Sequence, residues 1–138
     1  MKTTKTRVAL AAAVSLATGW MIGAKPMTTT AEKPLAHMVF FGLKDRSPES
    51  RAEFVRSCQK YLGEHAGTVY FSVGTIAEDV DEGAVSVKDF DVALHLVFDS
   101  KSSKEKYLKD PRHDAFVAEN REKFAQVRVF DSYLADPK

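Results

Sequence analysis

Two histidines and an aspartate, distant from one another in the chain, are the residues best suited to chemistry: His37, His113 and Asp131. An imidazole changes charge near neutral pH, and a carboxylate beside it decides which ring nitrogen carries the proton. One imidazole held by a carboxylate with a second imidazole close by therefore suits general acid–base catalysis. The same three residues would also serve as a buried polar network that satisfies itself and pins strand ends. Their spacing fits no metal-ligand pattern, so no metal or cofactor is expected. No Gly-rich phosphate loop, Ser-His-Asp order or glycosidase-type carboxylate pair is legible. Tyr107 falls on the apolar stripe of a helical segment and reads as core. His95 has the opposite parity in its strand and is expected to face a partner, while His65, near a helix end, favours that helix's dipole.

The elements that must position these residues follow from periodicity. His37–Leu43 reads as a first strand, with His37, Val39 and Phe41 on one face. Ser47-Pro48 supplies a cap and a first-turn proline, with Glu49 favourable against the dipole, and Phe54, Val55, Cys58, Tyr61 and Leu62 continue a helix. Gly63 and Gly67 bracket its exit. Thr68–Ile76 alternates Val69, Phe71 and Val73 inward, with Gly74 marking an expected bulge. After a polar loop over 78–89, Phe90, Val92, Leu94, Leu96 and Phe98 recur at every second residue, the strongest strand signal in the chain. A short helix over 102–109 ends at Asp110-Pro111, and a second, over about 112–125, presents Ala115, Phe116, Val117 and Phe124 to the core. Val127, Val129 and Asp131 then alternate with Arg128, Phe130 and Ser132 in a fourth strand.

The order β-α-β-β-α-β is the split-βαβ, ferredoxin-like arrangement, an α+β fold with a four-stranded antiparallel sheet. Right-handed crossovers put the first and third strands in the middle and the fourth beside the first, so Asp131 and His37 become near neighbours. Helices cover only one face of such a sheet. The other would carry Met38, Phe40, Tyr70, Ile76, Ala93, Val97 and Phe130, more contiguous apolar surface than a monomer ordinarily exposes. Burying roughly 500 Å² of it would contribute on the order of 10 kcal/mol before association costs. A homodimer packed sheet to sheet is the expected answer.

Composition narrows the function classes. Twenty Lys plus Arg against nineteen Asp plus Glu, scattered along 138 residues, leave no electrostatic footprint for nucleic acid. Cys58 is the only cysteine, which excludes an internal disulfide and a Cys-based metal cluster, and its helical apolar position predicts a buried thiol. Lys2, Lys5 and Arg7 precede an uncharged run over 8–24, the layout of a secretory leader, so export to the periplasm or medium is expected. An uncleaved anchor over 8–24 is the competing reading, short against the roughly 20 residues of a span, and is the one route to a membrane. Residues 25–35, rich in Thr and Pro, read as a linker, 36–134 as the domain and 135–138 as a tail.

The pattern resembles the stress-responsive A/B barrel (Dabb) family, whose members are ferredoxin-like chains paired into a dimeric α+β barrel. The resemblance covers about residues 36–134. It rests on His37-Met-Val-Phe-Phe with Leu43-Lys44 closing the strand, Val73-Gly74, Asp91 with the apolar strand after it, Tyr107-Leu-Lys-Asp-Pro-Arg-His113-Asp-Ala-Phe116-Val, and Val129-Phe130-Asp131. It departs at Gly42, where members often carry lysine or another larger residue, and at Asp110, where a histidine often precedes the proline. Among such proteins a plant polyketide cyclase that makes olivetolic acid uses residues at the positions of His37, Tyr107, His113 and Asp131. The resemblance thus implies a histidine removing a proton beside a carbonyl, the tyrosine steadying the oxyanion and the aspartate holding a tautomer, with no cofactor. Three functions stay open: a module binding a small apolar or oxygenated ligand, a cofactor-free cyclase, lyase or isomerase, and a purely oligomeric structural protein.

Overall fold

Strand β1 (Leu35–Leu43) runs through the interior of the sheet, with His37, Val39, Phe41 and Leu43 buried and Met38 and Phe40 half-buried. The structure, a computed structural model, describes residues 32–135. The expected leader or anchor, residues 25–31 of the linker and the last three residues lie outside them. The order continues with α1 (Pro48–Leu62), β2 (Thr68–Thr75), β3 (Val92–Phe98), α2 (Lys101–Leu108), α3 (Pro111–Asn120) and β4 (Phe124–Tyr133). The strands form one antiparallel sheet in the order β2-β3-β1-β4, as the ferredoxin-like topology requires.

One face of the sheet lies under the helices. Phe41 and Leu43 from β1, Leu94 and Leu96 from β3, and Phe54 and Leu62 from α1 are all buried there. Phe41 and Phe54 meet edge to face at 4.9 Å, and Phe54 reaches Phe116 of α3 at 5.7 Å, so aromatic contacts join both helices to the sheet. Cys58 is fully buried among them, and burial pushes its thiol up to about 12, which makes it inert packing.

Ser47 caps its helix as expected, and two further caps appear at Ser100 and Asp110. Ser47 Oγ accepts the Ser50 N–H, Ser100 Oγ accepts that of Ser103, and Asp110 accepts that of Arg112, each at a helix start. Gly67 has φ +83°, and a Cβ there would lie 2.2 Å from Ser103 Oγ, so only glycine lets the chain enter β2 beside α2.

Four expectations are corrected. The bulge in β2 is at Val69, not Gly74: Thr68 pairs with Phe98 and Tyr70 with Val97, leaving Val69 as the extra residue, 63 % exposed. Phe90 does not share the inner face with Val92, because β3 begins only at Val92; its ring packs edge to face on Phe40, on the outer face, at 5.0 Å. The last helix ends at Asn120 and a 3-10 turn follows, so Phe124 opens β4 and reaches the core from the strand. Ala115 and Val117 are exposed, and the buried residues of α3 are Phe116 and Asn120.

Asp91 is the buried charge of the fold. It accepts hydrogen bonds from the Leu43 N–H (2.9 Å), Arg46 Nε (2.9 Å) and Arg51 Nε (3.0 Å), which ties the entry of β3 to the β1–α1 turn. Against the opposing effect of burial, these donors hold its carboxyl below the usual range. Asp91→Ala is expected to cost about 3–5 kcal/mol, since it strands the donors of a buried ion pair. Urea denaturation checks this, with Asp81→Ala in the exposed loop leaving the midpoint in place.

Candidate functional site

The site forms where the start of β1 meets the end of β4. His37 pairs directly with Asp131 across these strands, so their side chains emerge on the same face, the one beneath the helices. His37 Nδ1 lies 2.7 Å from Asp131 Oδ1. A carboxylate only accepts, so Nδ1 carries the proton and Nε2 is left as a bare lone pair. The other oxygen, Oδ2, accepts from Lys104 Nζ at 2.5 Å.

Helix α2 contributes Tyr107 one turn after Lys104, on the same helix face. The Tyr107 ring is buried, edge-on to His37 at 6.1 Å and to His113 at 4.9 Å. The cap at Asp110 and Pro111 starts α3 so that His113 falls in its first turn, where its N–H bonds Asp110 O (2.9 Å). His113 is half-buried, and its Nδ1 is buried with no hydrogen-bond partner among the described residues. His65, expected only to favour a dipole, packs on Tyr107 at 4.9 Å and donates Nε2–H to Tyr61 O at 2.9 Å, with Asp110 3.4 Å from its other nitrogen.

Between sheet and helices lies a cavity of about 250 Å³. His37, Tyr107 and His113 are its polar groups, against apolar walls that include Phe41, Leu94 and Phe116. Leu108, Val117, Val127 and Val129 are partly exposed where it opens. Val127 and Val129 lie on the inner face, as their parity required, yet remain uncovered because β4 is an edge strand and α3 stops short of it. Their exposure is the mouth of the cavity.

Burial depresses the His37 pKa below its ordinary 6.5, only partly offset by Asp131, with Lys104 adding to the depression. Burial likewise depresses His113, against the pull of Asp114. Asp131 is opposed by its burial but held below the usual carboxylate range by Lys104 and His37. Burial raises the Tyr107 phenol, so its hydroxyl keeps its proton. At neutral pH the cavity thus holds two neutral imidazoles and a phenol, a set able to take a proton from a bound molecule and to hydrogen-bond the oxygen that gains charge. Among the described residues no three His, Cys, Asp or Glu side chains are grouped to hold a metal ion.

Lys104 and the inward position of His65 were missed by sequence reasoning. Lys104 left one signal, its place three residues before Tyr107 on a helix that must face the sheet; His65 left none beyond its nearness to a glycine.

The model for the stress responsive A/B barrel domain (Dabb) matches residues 35–134. The chain belongs to the stress responsive A/B barrel family. A Dabb protein from Mesorhizobium loti with a ferredoxin-like fold superposes with a TM-score of 0.62 at 19 % identity, over 76 % of this chain and 100 % of that one. A dimeric ferredoxin-like protein of unknown function from Thermobifida fusca gives 0.62 at 15 %, over 75 % and 92 %. A hydroxynitrile lyase from Passiflora edulis gives 0.59 at 14 %, over 77 % and 97 %. At these identities the likeness is one of fold. No curated protein matches the chain by sequence.

Both imidazoles have folded pKa values below the unfolded 6.5, so below that pH the unfolded chain binds more protons than the folded one. Their contribution to stability is complete above pH 6.5 and is lost as pH falls through 6.5 towards the folded values. Urea midpoints should therefore drop between pH 7.5 and 5.5, and less steeply in His113→Leu, which removes one of the two groups without stranding a partner.

Proposed function

We propose that this Dabb-family chain is a small cofactor-free acid–base enzyme of the lyase, isomerase or cyclase type. Its substrate is a compact, mostly apolar molecule with a carbonyl or hydroxyl at one end. One observation carries this reading: a neutral, Asp131-oriented His37 shares a cavity with Tyr107 and with the unpartnered Nδ1 of His113. A purely structural polar network accounts for the His37–Asp131 pair but not for the His113 nitrogen, which, of the four unpartnered buried side-chain atoms among the described residues, is the one on a residue lining the cavity. The cavity of about 250 Å³ lies just below the usual range of small-ligand sites, which begins near 300 Å³. No side-chain cation lines it, which favours an uncharged ligand.

In the proposed step His37 Nε2 takes a proton from the carbon beside a carbonyl. The C–H bond breaks, an N–H bond forms, and the electron pair moves through the new C=C bond onto the carbonyl oxygen as an enolate. Asp131 stabilises the imidazolium, and the Tyr107 hydroxyl donates to the enolate oxygen. The enolate then closes on a second carbonyl or expels a group, and the proton returns from His37. The hydroxynitrile lyase among the structural neighbours supports a lyase on this scaffold.

The outer sheet face supports a homodimer. Phe40 packs edge to face with Phe130 at 5.7 Å and with Phe90 at 5.0 Å, making an aromatic patch with no helix over it among the described residues, and a neighbour of the same fold is described as dimeric. The leader-like residues 1–24 support a site of action outside the cytoplasm.

Calorimetry with a panel of small phenolic and β-keto compounds tests the site. At least one compound is expected to bind, and His37→Ala and His113→Ala each to weaken it about tenfold or more, the worth of one lost hydrogen bond. Loss of stability in both variants with no ligand found would instead make the residues structural. Light scattering on residues 32–138 should give a dimer at micromolar concentration; a stable monomer would remove the sheet-to-sheet assembly.

A further inference from the structure

Lys104 stands where α2 passes the end of β4. Its side chain is only 15 % exposed, unusual for a lysine, and its Nζ lies 2.5 Å from Asp131 Oδ2 while Asp131 Oδ1 accepts a hydrogen bond from His37 Nδ1 at 2.7 Å. A carboxylate held at one oxygen is free to turn about its Cβ–Cγ bond and exchange oxygens with water. Held at both, it has one plane and one orientation.

We propose that Lys104 is a positioning residue of the acid–base site: by engaging the second oxygen of Asp131 it fixes His37 as the Nδ1–H tautomer with Nε2 free. The proposal deepens the reading of His37 as the base and rests on it for its catalytic meaning. The groups that face His37 are Asp131 from β4, Lys104 and Tyr107 from α2, His113 from α3 and the uncharged Phe98 ring from β3. Alone, the Asp131 carboxylate would favour the imidazolium, since an opposite charge at this range moves a pKa by about 1–3 units. The Lys104 ammonium opposes that field, while burial is the larger cause of the lowered His37 pKa, and the directional hydrogen bond is kept. His37 thus gains the orientation of a His–Asp pair without its full rise in basicity. A lysine at this inward position would otherwise be a poor choice, because its ammonium must give up water. The ion pair with Asp131 is what offsets that loss.

The test is the ring spectrum of nitrogen-15-labelled His37 across pH 4.5–8 in the wild type, Lys104→Met and Lys104→Arg. Met keeps the stem and removes the charge; Arg returns a cation. The wild type should show the Nδ1–H tautomer alone. Lys104→Met should raise the His37 midpoint by about one pH unit and bring in the Nε2–H form, and Lys104→Arg should restore most of the wild-type behaviour. A folded Lys104→Met protein with unchanged tautomer and midpoint would overturn the proposal. Should Lys104→Met not fold, the wild-type Lys104 ammonium signal decides: slow proton exchange and a shift as His37 titrates support the proposal, and rapid exchange without that shift overturns it. These spectra need no ligand, so an empty ligand panel would defeat the enzymatic reading while leaving the Lys104 result to stand or fall separately.

Discussion

The antiparallel pairing of β1 with β4 is the constraint on which the rest depends. It sets His37 opposite Asp131 and Val39 opposite Val129, so that a polar pair and an apolar wall occupy one face. Strand side chains alternate with a period of two, and a slip of one residue would turn Asp131 to the outer face and leave His37 without its acceptor. The register is interrupted at a single place, where Gly42 pairs with Gln126 and Leu43 with Phe124, leaving Ala125 as the extra residue. That irregularity lets Phe124 reach the core at one end of β4 while the other end holds the Asp131 site.

The helices meet this pairing through their caps. Ser100 starts α2 so that Lys104 and Tyr107 point at the sheet, and Asp110 starts α3 so that His113 comes down beside Tyr107. Asp110 caps α3 by accepting the Arg112 N–H. At the far end, Asp91 joins β1, α1 and β3 through the Leu43 N–H and two guanidinium groups. Two carboxylates, one buried and one beside the cavity residue His37, thus hold opposite ends of the same sheet. The cavity exists because α3 ends at Asn120 and β4 is an edge strand: no described residue covers Val127 and Val129, and the space beneath the helices opens there.

Much of the fold was legible because its signals are local. The alternation over Val92–Phe98, the Ser47-Pro48 start and the Asp110-Pro111 break each name an element without reference to the others. The adjacency of His37 and Asp131 was legible too, since topology alone places one strand's end beside the other's start. What escaped depended on single backbone events. Val69 reads as an inward residue until the bulge is known, and Phe90 shares the parity of Val92 yet precedes the strand. Lys104 looks like one more surface lysine in a Lys-rich helix; its inward turn follows from the position of Asp131 in a strand more than twenty residues away.

The central claim is that His37 removes a carbon-bound proton from a molecule in the cavity. It is tested most directly by incubating the domain in heavy water with small β-keto and phenolic ketone compounds and following deuterium entry at the carbon beside the carbonyl. The account predicts entry well above the buffer rate for the compounds that bind, abolished in His37→Ala with the fold retained. Binding without any deuterium entry would contradict it and leave the cavity a binding site alone.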